Sequence, residues 1–451
     1  MTTAERLYSR LVTRSQDAED ELPDPVQRDL PRNGLRLVAA NTLQSSGDQT
    51  VNASTVLPWL FHVLGVPAAF VGLLVPIRES GSMLPQAFLT PLVVRVRRRK
   101  WVFVIGAAVQ AVSVAVMAAI AALGSGVAAG VGILVALVVF SLGRCLCSIA
   151  SKDVQGRTIP SGERGQIVGL ATSAAGLVAI TLGVLIRVLG GEDLDAAALA
   201  LLLAVGAVLW VLSAVVCARV REPAGEGDDA GAGDGRESAA EDSSPSWFAE
   251  AAQLFRDDAT FRKFITVRGL LLVSSLSPPF IVTLSIASGT GALAGLGGFI
   301  LASGVASLIG GRVFGKLADR SSRLLMAGAA TAASLVAFAL VLIEALPGFD
   351  GGAPLGAAVF VGAYFLLTLL HSGVRVGRKT YVVDVAEGDT RTAYVAVGNT
   401  AMGVILLVVG GISSALAVLG VQWALVFLAV LGLVGAASAF SMPEVSRGAG
   451  D

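Results

Sequence analysis

Asp48, Arg78 and Glu79 are ionisable residues in stretches that otherwise suit hydrocarbon. Asp48 lies in NTLQSSGDQTVNAST (41–55), where Asn41, Gln44, Ser45, Asp48, Asn52 and Thr55 recur at steps of three and four. That spacing lines them along one face of a helix. Such a stripe cannot face lipid, so it is expected to line an interior cavity. Arg78 and Glu79 lie in VPIRESGSMLPQ (75–86), which ends on Gln86. A helix entering near residue 66 places Arg78 about 18 Å deep, near the bilayer midplane. An arginine there costs about 2.5–3.5 kcal/mol on insertion scales. Asp48, at similar depth on an antiparallel neighbour, is its natural counter-charge. Adjacent helical residues project about 100° apart. One of Arg78 and Glu79 is therefore expected to face the cavity while the other packs between helices. Pro76, Gly81 and Pro85 are expected to loosen the helix and free carbonyls near the site.

Two chemistries are open to these groups. Arg78 can anchor an anion or carboxylate. Asp48 or Glu79 can carry a proton, because a poorly solvated cavity disfavours an ionised carboxyl group. The same residues could instead be an interhelical ion-pair network that fixes packing. The second half of the chain carries Arg268 in RGLLLVSSLSPPF, His371 and Arg375 in HSGVRVGRK, and Asn399 beside Thr400. His371 is expected near the inner mouth of its helix, as a capping or packing residue. Other chemistry finds little material. The two histidines and three cysteines form no HExxH or CxxC pattern, and G-x-S-x-G is missing. No metal, no cofactor and no enzymatic activity is expected, and the thiols should be free. The lack of a GxxxxGK[ST] loop argues against ATP drive.

The elements that must position these residues are membrane helices. The 451 residues are 54% hydrophobic but only 15% charged, against about a quarter charged in soluble domains. Mean hydropathy is +0.76. Apolar runs of about 20 residues recur along the chain, as spanning helices require. About twelve are expected, from 35–63 and 66–94 through to 391–417 and 421–441. The fold class is an all-α polytopic membrane protein with two pseudo-symmetric six-helix bundles. Zero net charge gives no reason to expect a nucleic-acid partner.

Lys and Arg gather in alternate loops: RVRRRK (95–100), SKDVQGRTIPSGER (151–164), GKLADRSSR (315–323) and GRKTYVVDVAEGDTR (377–391). The opposite loops, GEDLD (191–195) and EALPGFDGGA (344–353), are acidic. By the positive-inside rule both termini are cytoplasmic. The first residues lack a signal-peptide pattern. The expected division is a cytoplasmic N-terminal segment (1–34), a first six-helix bundle (35–218), a cytoplasmic linker (219–262), a second six-helix bundle (263–441) and a cytoplasmic tail (442–451). The linker's acidic, Gly- and Ser-rich stretch at 221–246 suits a disordered segment. It is followed by an amphipathic stretch, WFAEAAQLFRDDATFRKF (247–264), suited to lying in the interface.

The halves match at a constant offset of 227 residues: Lys152 with Lys379, Arg164 with Arg391, Gly183 with Gly410. Duplicated six-span halves with a site between them are one transporter plan. On these features, and on GKLADRSSR (315–323), the chain resembles the major facilitator superfamily of a bacterial membrane. Gly315, Leu317, Ala318, Asp319, Arg320 and Arg323 fit that family's G-x-L-A-D-R-x-G-R loop, with Ser322 in place of a glycine. The resemblance implies that this loop, through Gly315, Asp319, Arg320 and Arg323, helps hold the cytoplasmic side closed. The equivalent stretch of the first half, PLVVRVRRRK (91–100), has Pro91 for the glycine and Arg95 for the aspartate, so a symmetric latch is not expected.

These features point to a monomeric, multi-pass carrier of the inner (plasma) membrane. It is expected to move a small solute by alternating access with protons as coupling ion, with efflux of a drug or metabolite favoured. The competing expectation is an uncoupled facilitator or importer of an organic anion. Candidate site residues are Asp48, Arg78, Glu79, Asn41, Gln44, Asn52, Gln86 and Asn399.

Overall fold

The computed structural model describes residues 3–14, 19, 22–189, 195–223, 255–385 and 389–443. Most of the linker, including the first part of the amphipathic stretch (247–254), lies outside them; the rest of that stretch is described and buries Phe261 and Phe264. Apolar residues without a partner surface bury best against other helices, and the described chain is built of helices alone. A short amphipathic helix, α1 (Thr3–Leu11), precedes the bundle. The first half then comprises α2 (Asp24–Thr50), α3 (Val56–Val63), α4 (Val71–Met83), α5 (Gln86–Val94), α6 (Lys100–Leu123), α7 (Gly126–Thr158), α8 (Ser161–Leu189) and α9 (Ala196–Ala218). The second half comprises α10 (Ala259–Leu270), α11 (Val273–Ala287), α12 (Ala292–Arg320), α13 (Ser322–Glu344), α14 (Pro354–Val385), α15 (Asp389–Ala417) and α16 (Val421–Phe440).

Twelve spans result, because three of them are broken helices: α2–α3, α4–α5 and α10–α11. Among the described residues, nine helical stretches are by themselves long and apolar enough to cross a membrane. The spans that carry Asp48 and Arg78 are not among the nine, and α12 contributes a shorter apolar stretch, Gly295–Gly310. The breaks are local. At the first, Asn52 Oδ1 accepts from the Ser54 amide at 2.8 Å, closing a turn in the middle of the membrane. At the second, Pro85 stands between α4 and α5. α4 runs through Pro76 to Met83, and the proline ring packs on Gly410 of α15, where an added carbon would lie 2.1 Å from it.

The duplication is visible in the backbone. α7 and α8 recur as α14 and α15, displaced by about 227 residues. The halves meet along two seams, α4 against α15 and α8 against α12. Both seams are lined by glycine. Gly72 and Gly410 face each other's helix in the first; Gly176, Gly183, Gly297 and Gly304 interleave in the second. Small residues let membrane helices approach closely. At the end away from the basic loops, α3 also packs on α11, and the Trp59 indole lies against Gly295.

The basic end is stitched within each half. Lys100, at the start of α6, donates to the carbonyls of Ala218 and Val220 at the end of α9, at 3.0 and 2.8 Å. Arg323, at the start of α13, donates to the carbonyl of Met442 just past α16 at 2.8 Å. A cation on a helix's free carbonyl end is favourable on both hydrogen-bond and dipole grounds. Each half thus ties a cation at the start of its third span to carbonyls at the end of its sixth. RVRRRK is also not wholly solvated. Arg99 is buried and lies 3.5 Å from Asp153, while Glu222 accepts from the backbone amides of Arg99 and Lys100 at the start of α6.

Outside the membrane, α1 docks on the first bundle. Tyr8 is buried, with its ring over Gly34 and its hydroxyl donating to Glu163 Oε2 at 2.5 Å. Thr13 and Gln166 exchange two hydrogen bonds, and Arg14 pairs with Glu19.

Candidate functional site

A cavity of about 340 Å³ lies between the halves. The first half lines it with Gln49, Asn52, Arg78, Glu79 and Arg144; the second with Arg268, Ser274, His371, Arg375 and Arg378. Five guanidinium groups thus face one carboxylate across its lining.

Asp48 is the anchor of the first-half cluster. Arg78 Nη2 donates to its Oδ1 at 2.8 Å. Arg144 Nη1 reaches both carboxylate oxygens at 2.7 Å. Two cations share one acid, and charge-assisted bonds of this length are among the strong ones. Asp48, Asn41 and Gln44 look into a second cavity of about 360 Å³, bounded by α2, α7 and α8, which also includes Lys152 and Gln155. Arg144 lines both cavities. The polar stripe therefore splits: Asn52 and Gln49 turn to the central cavity, Asn41, Gln44 and Asp48 to the lateral one.

Arg78 and Glu79 both line the central cavity, contrary to the expectation that only one could. The cavity is wide enough to be bordered by a polar face of about 100°, the angle between adjacent residues. Among the described residues, the Glu79 carboxylate makes no ion pair or hydrogen bond. It lies within electrostatic reach of Arg144 and Arg378.

The second-half cations lack such an acid. Arg268 is only 8% exposed, donates to Asn399 Oδ1 at 3.1 Å, and keeps its Nε buried without a partner. Among the described residues, none of Arg268, Arg375 and Arg378 pairs with a carboxylate. Symmetry shows what has changed. Arg144 and His371 occupy equivalent positions of α7 and α14. Where Asp48 meets Arg144, Ser274 Oγ meets His371 Nδ1, at 3.3 Å. The hydroxyl replaces the carboxylate, and the second half's positive charge goes unbalanced. Each arginine held at such depth costs a few kcal/mol.

Some expected residues do not join the site. Gln86 starts α5 and borders neither cavity. Asn399 sits behind Arg268 rather than in the lining. Gly315, Asp319 and Arg320 lie in the last turns of α12, far along the chain from the cavity, and the side chain of Asp319 is outside the described structure. The described contacts of Arg323 tie α13 to α16 within one half. Two residues were missed. Arg144 interrupts the apolar run SLGRCLCS, itself a signal of function at membrane depth. Arg378 was placed in a loop, but α14 continues to Val385 and carries it into the cavity wall. His371 likewise faces the cavity rather than only capping a helix end.

Two six-helix bundles meeting around a polar, charged cavity define a secondary-transporter fold. The family model of the Major Facilitator Superfamily matches residues 38–355. The chain belongs to that superfamily and is a multi-pass membrane protein. Among solved structures it is similar to a D-xylose-proton symporter (TM-score 0.68, 13% identity, 92% of this chain and 98% of that one). It is also similar to the nucleoside transporter NupG (0.63, 14%, 91% and 98%). A third similar structure is the inward open conformation of the xylose transporter XylE from E. coli (0.61, 14%, 92% and 97%). These identities show a shared fold. No curated protein sequence matches the chain.

Proposed function

We propose that this carrier is proton-coupled, with Glu79 as the proton-carrying acid and Asp48 as the fixed counter-charge of Arg78 and Arg144. The carrying observation is the different bonding of the two carboxylates. Asp48 is engaged by two guanidinium groups, whereas Glu79 lines the cavity without a bonded partner among the described residues. A group that must load and release a proton each cycle needs to change partners, and Glu79 is free to. The charged groups around it are Arg78 on its own helix, Arg144 on α7, Arg268 on α10, and His371, Arg375 and Arg378 on α14, with Asp48 behind Arg78. Alternating access then consists of the halves rocking about the cavity. The basic loops support placing both termini in the cytoplasm of an inner membrane. The contact of α3 with α11 at the opposite end supports an inward-facing state.

The test is flux in proteoliposomes, using a solute returned by a thermal-shift screen of metabolites, drugs and organic anions at two pH values. Glu79→Gln is expected to keep downhill counterflow and lose accumulation driven by a pH gradient. Accumulation that survives Glu79→Gln would remove Glu79 from the coupling path. Wild-type flux indifferent to the gradient would instead identify an uncoupled facilitator.

A further inference from the structure

Building on that transport reading, we propose that the solute is a small multivalent oxyanion, a phosphate ester or a di- or tricarboxylate, held between the arginines of the two halves. The first observation is the count of charges against partners. Arg78 and Arg144 share the single carboxylate of Asp48, and Arg268, Arg375 and Arg378 have none among the described residues. The second is independent of that count. Arg268 is more than nine-tenths buried and borders the cavity, and its described partner is a neutral amide oxygen, Asn399 Oδ1. A guanidinium carries five donors and a full charge, and an oxyanion in the cavity supplies the ionic acceptor that Asn399 does not.

The disposition of the cations argues for more than one negative charge. Arg78 and Arg144 belong to one half, and Arg268, Arg375 and Arg378 to the other. Guanidinium groups of both halves face one another across the cavity and repel. An anion with oxygens at two ends neutralises both sets and lets the halves close. A monovalent anion leaves one set unbalanced. Guanidinium forks match carboxylate and phosphate geometry in pairs of bonds. The volume, about 340 Å³, is at the small end of small-molecule pockets. The rival occupants fit less well. A lipophilic cation meets five guanidinium groups. A neutral sugar or nucleoside leaves the second-half guanidinium groups without an ionic acceptor, and among the described lining residues the aromatic rings are those of Tyr364 and His371.

The experiment titrates purified full-length protein with inorganic phosphate, glycerol 3-phosphate, succinate and citrate. Acetate, glycerol, xylose and tetraphenylphosphonium serve as controls. At least one multivalent anion is expected to raise the melting temperature and bind with an affinity that falls with added salt. The phosphate and carboxylate arms identify the headgroup. Arg378→Gln is expected to weaken binding at least tenfold, with Arg378→Lys recovering part of the loss; an unchanged melting temperature of the unliganded variants separates lost binding from a folding artefact. Failure of every multivalent anion to bind at millimolar concentration overturns the proposal. So does stronger stabilisation by xylose or tetraphenylphosphonium, or Arg378→Gln binding at wild-type affinity. Anion binding with flux that ignores a pH gradient sinks the coupling reading and leaves this one standing. Proton-driven accumulation of a neutral solute without anion binding does the reverse.

Discussion

Replacing Asp48 with asparagine tests the electrostatic centre of the first half. The side chain accepts one bond from Arg78 and two from Arg144, all at 2.7–2.8 Å. Asparagine keeps the shape and removes the charge, leaving two guanidinium groups facing each other. Breaking a buried pair by removing one partner costs about 3–5 kcal/mol, most of it from the stranded charge. Here the stranded groups are not dry. Asp48 is 18% exposed and Arg144 27%, so water recovers part of the loss, and about 2–4 kcal/mol is expected. The pair Asp48→Asn with Arg144→Gln removes one cation along with the acid. The double variant should therefore be more stable than the two single losses combined, by about 2 kcal/mol, within the range measured for directly bonded residues. Trp210 gives a local probe, because its indole packs on Gly47, the residue before Asp48. Denaturation in detergent followed by tryptophan fluorescence would read both quantities. Additive losses, or an Asp48→Asn variant as stable as the parent, would refute the claim that the cluster is held by this carboxylate.

Two further outcomes follow from contacts away from the cavity. Gly410→Leu should place a side chain into Pro76, where the first added carbon would already sit 2.1 Å from the ring; transport should be lost, at a stability cost of about 1–3 kcal/mol. Gly411→Leu, where nothing lies within 4 Å, should be nearly silent in the same flux assay. The docking of α1 should depend on pH at both extremes. Burial and the bond to Glu163 raise the Tyr8 hydroxyl well above its ordinary value of 10, so its contribution is full below pH 10 and falls progressively as pH rises beyond it towards the raised folded-state value. The Arg14 bond holds Glu19 below the usual carboxylate range, so that contribution is present at neutral pH and lost on strong acidification. A spin label at exposed Ser9 should be immobile near neutrality and mobile at either extreme.

The parts of this molecule that were legible in its sequence are those set by local periodicity. Steps of three and four located the stripe at 41–55, and apolar run lengths located the twelve spans. Depth counting brought Asp48 and Arg78 together, because both lie midway along antiparallel neighbours. What was not legible depends on how helices end and which way they turn. The loop reading of GRKTYVVDVAEGDTR rested on its charge, yet α14 extends to Val385, so Arg378 is a wall residue. Arg144 was hidden by its surroundings, since an apolar window average conceals one arginine. Comparing its position with His371 at the repeat offset would have exposed it. The packing of Pro76 on Gly410 was not legible either, because it is a property of a helix more than 300 residues away.

The glycine-lined seams bear on how such a molecule can move. α4 meets α15, and α8 meets α12, through glycine backbone and apolar side chains such as Leu308 and Ile180. Contacts of this kind are short in reach and depend little on direction. Sliding one bundle against the other strands no charge, and Ser80 Oγ on the Gly403 carbonyl, at 2.8 Å, is one of few polar ties to be remade. The energy surface along the seams is consequently shallow, and the barrier to rocking is left to the cavity. The helices behave as a lubricated bearing, while the decision to turn rests with whatever balances the arginines at its centre.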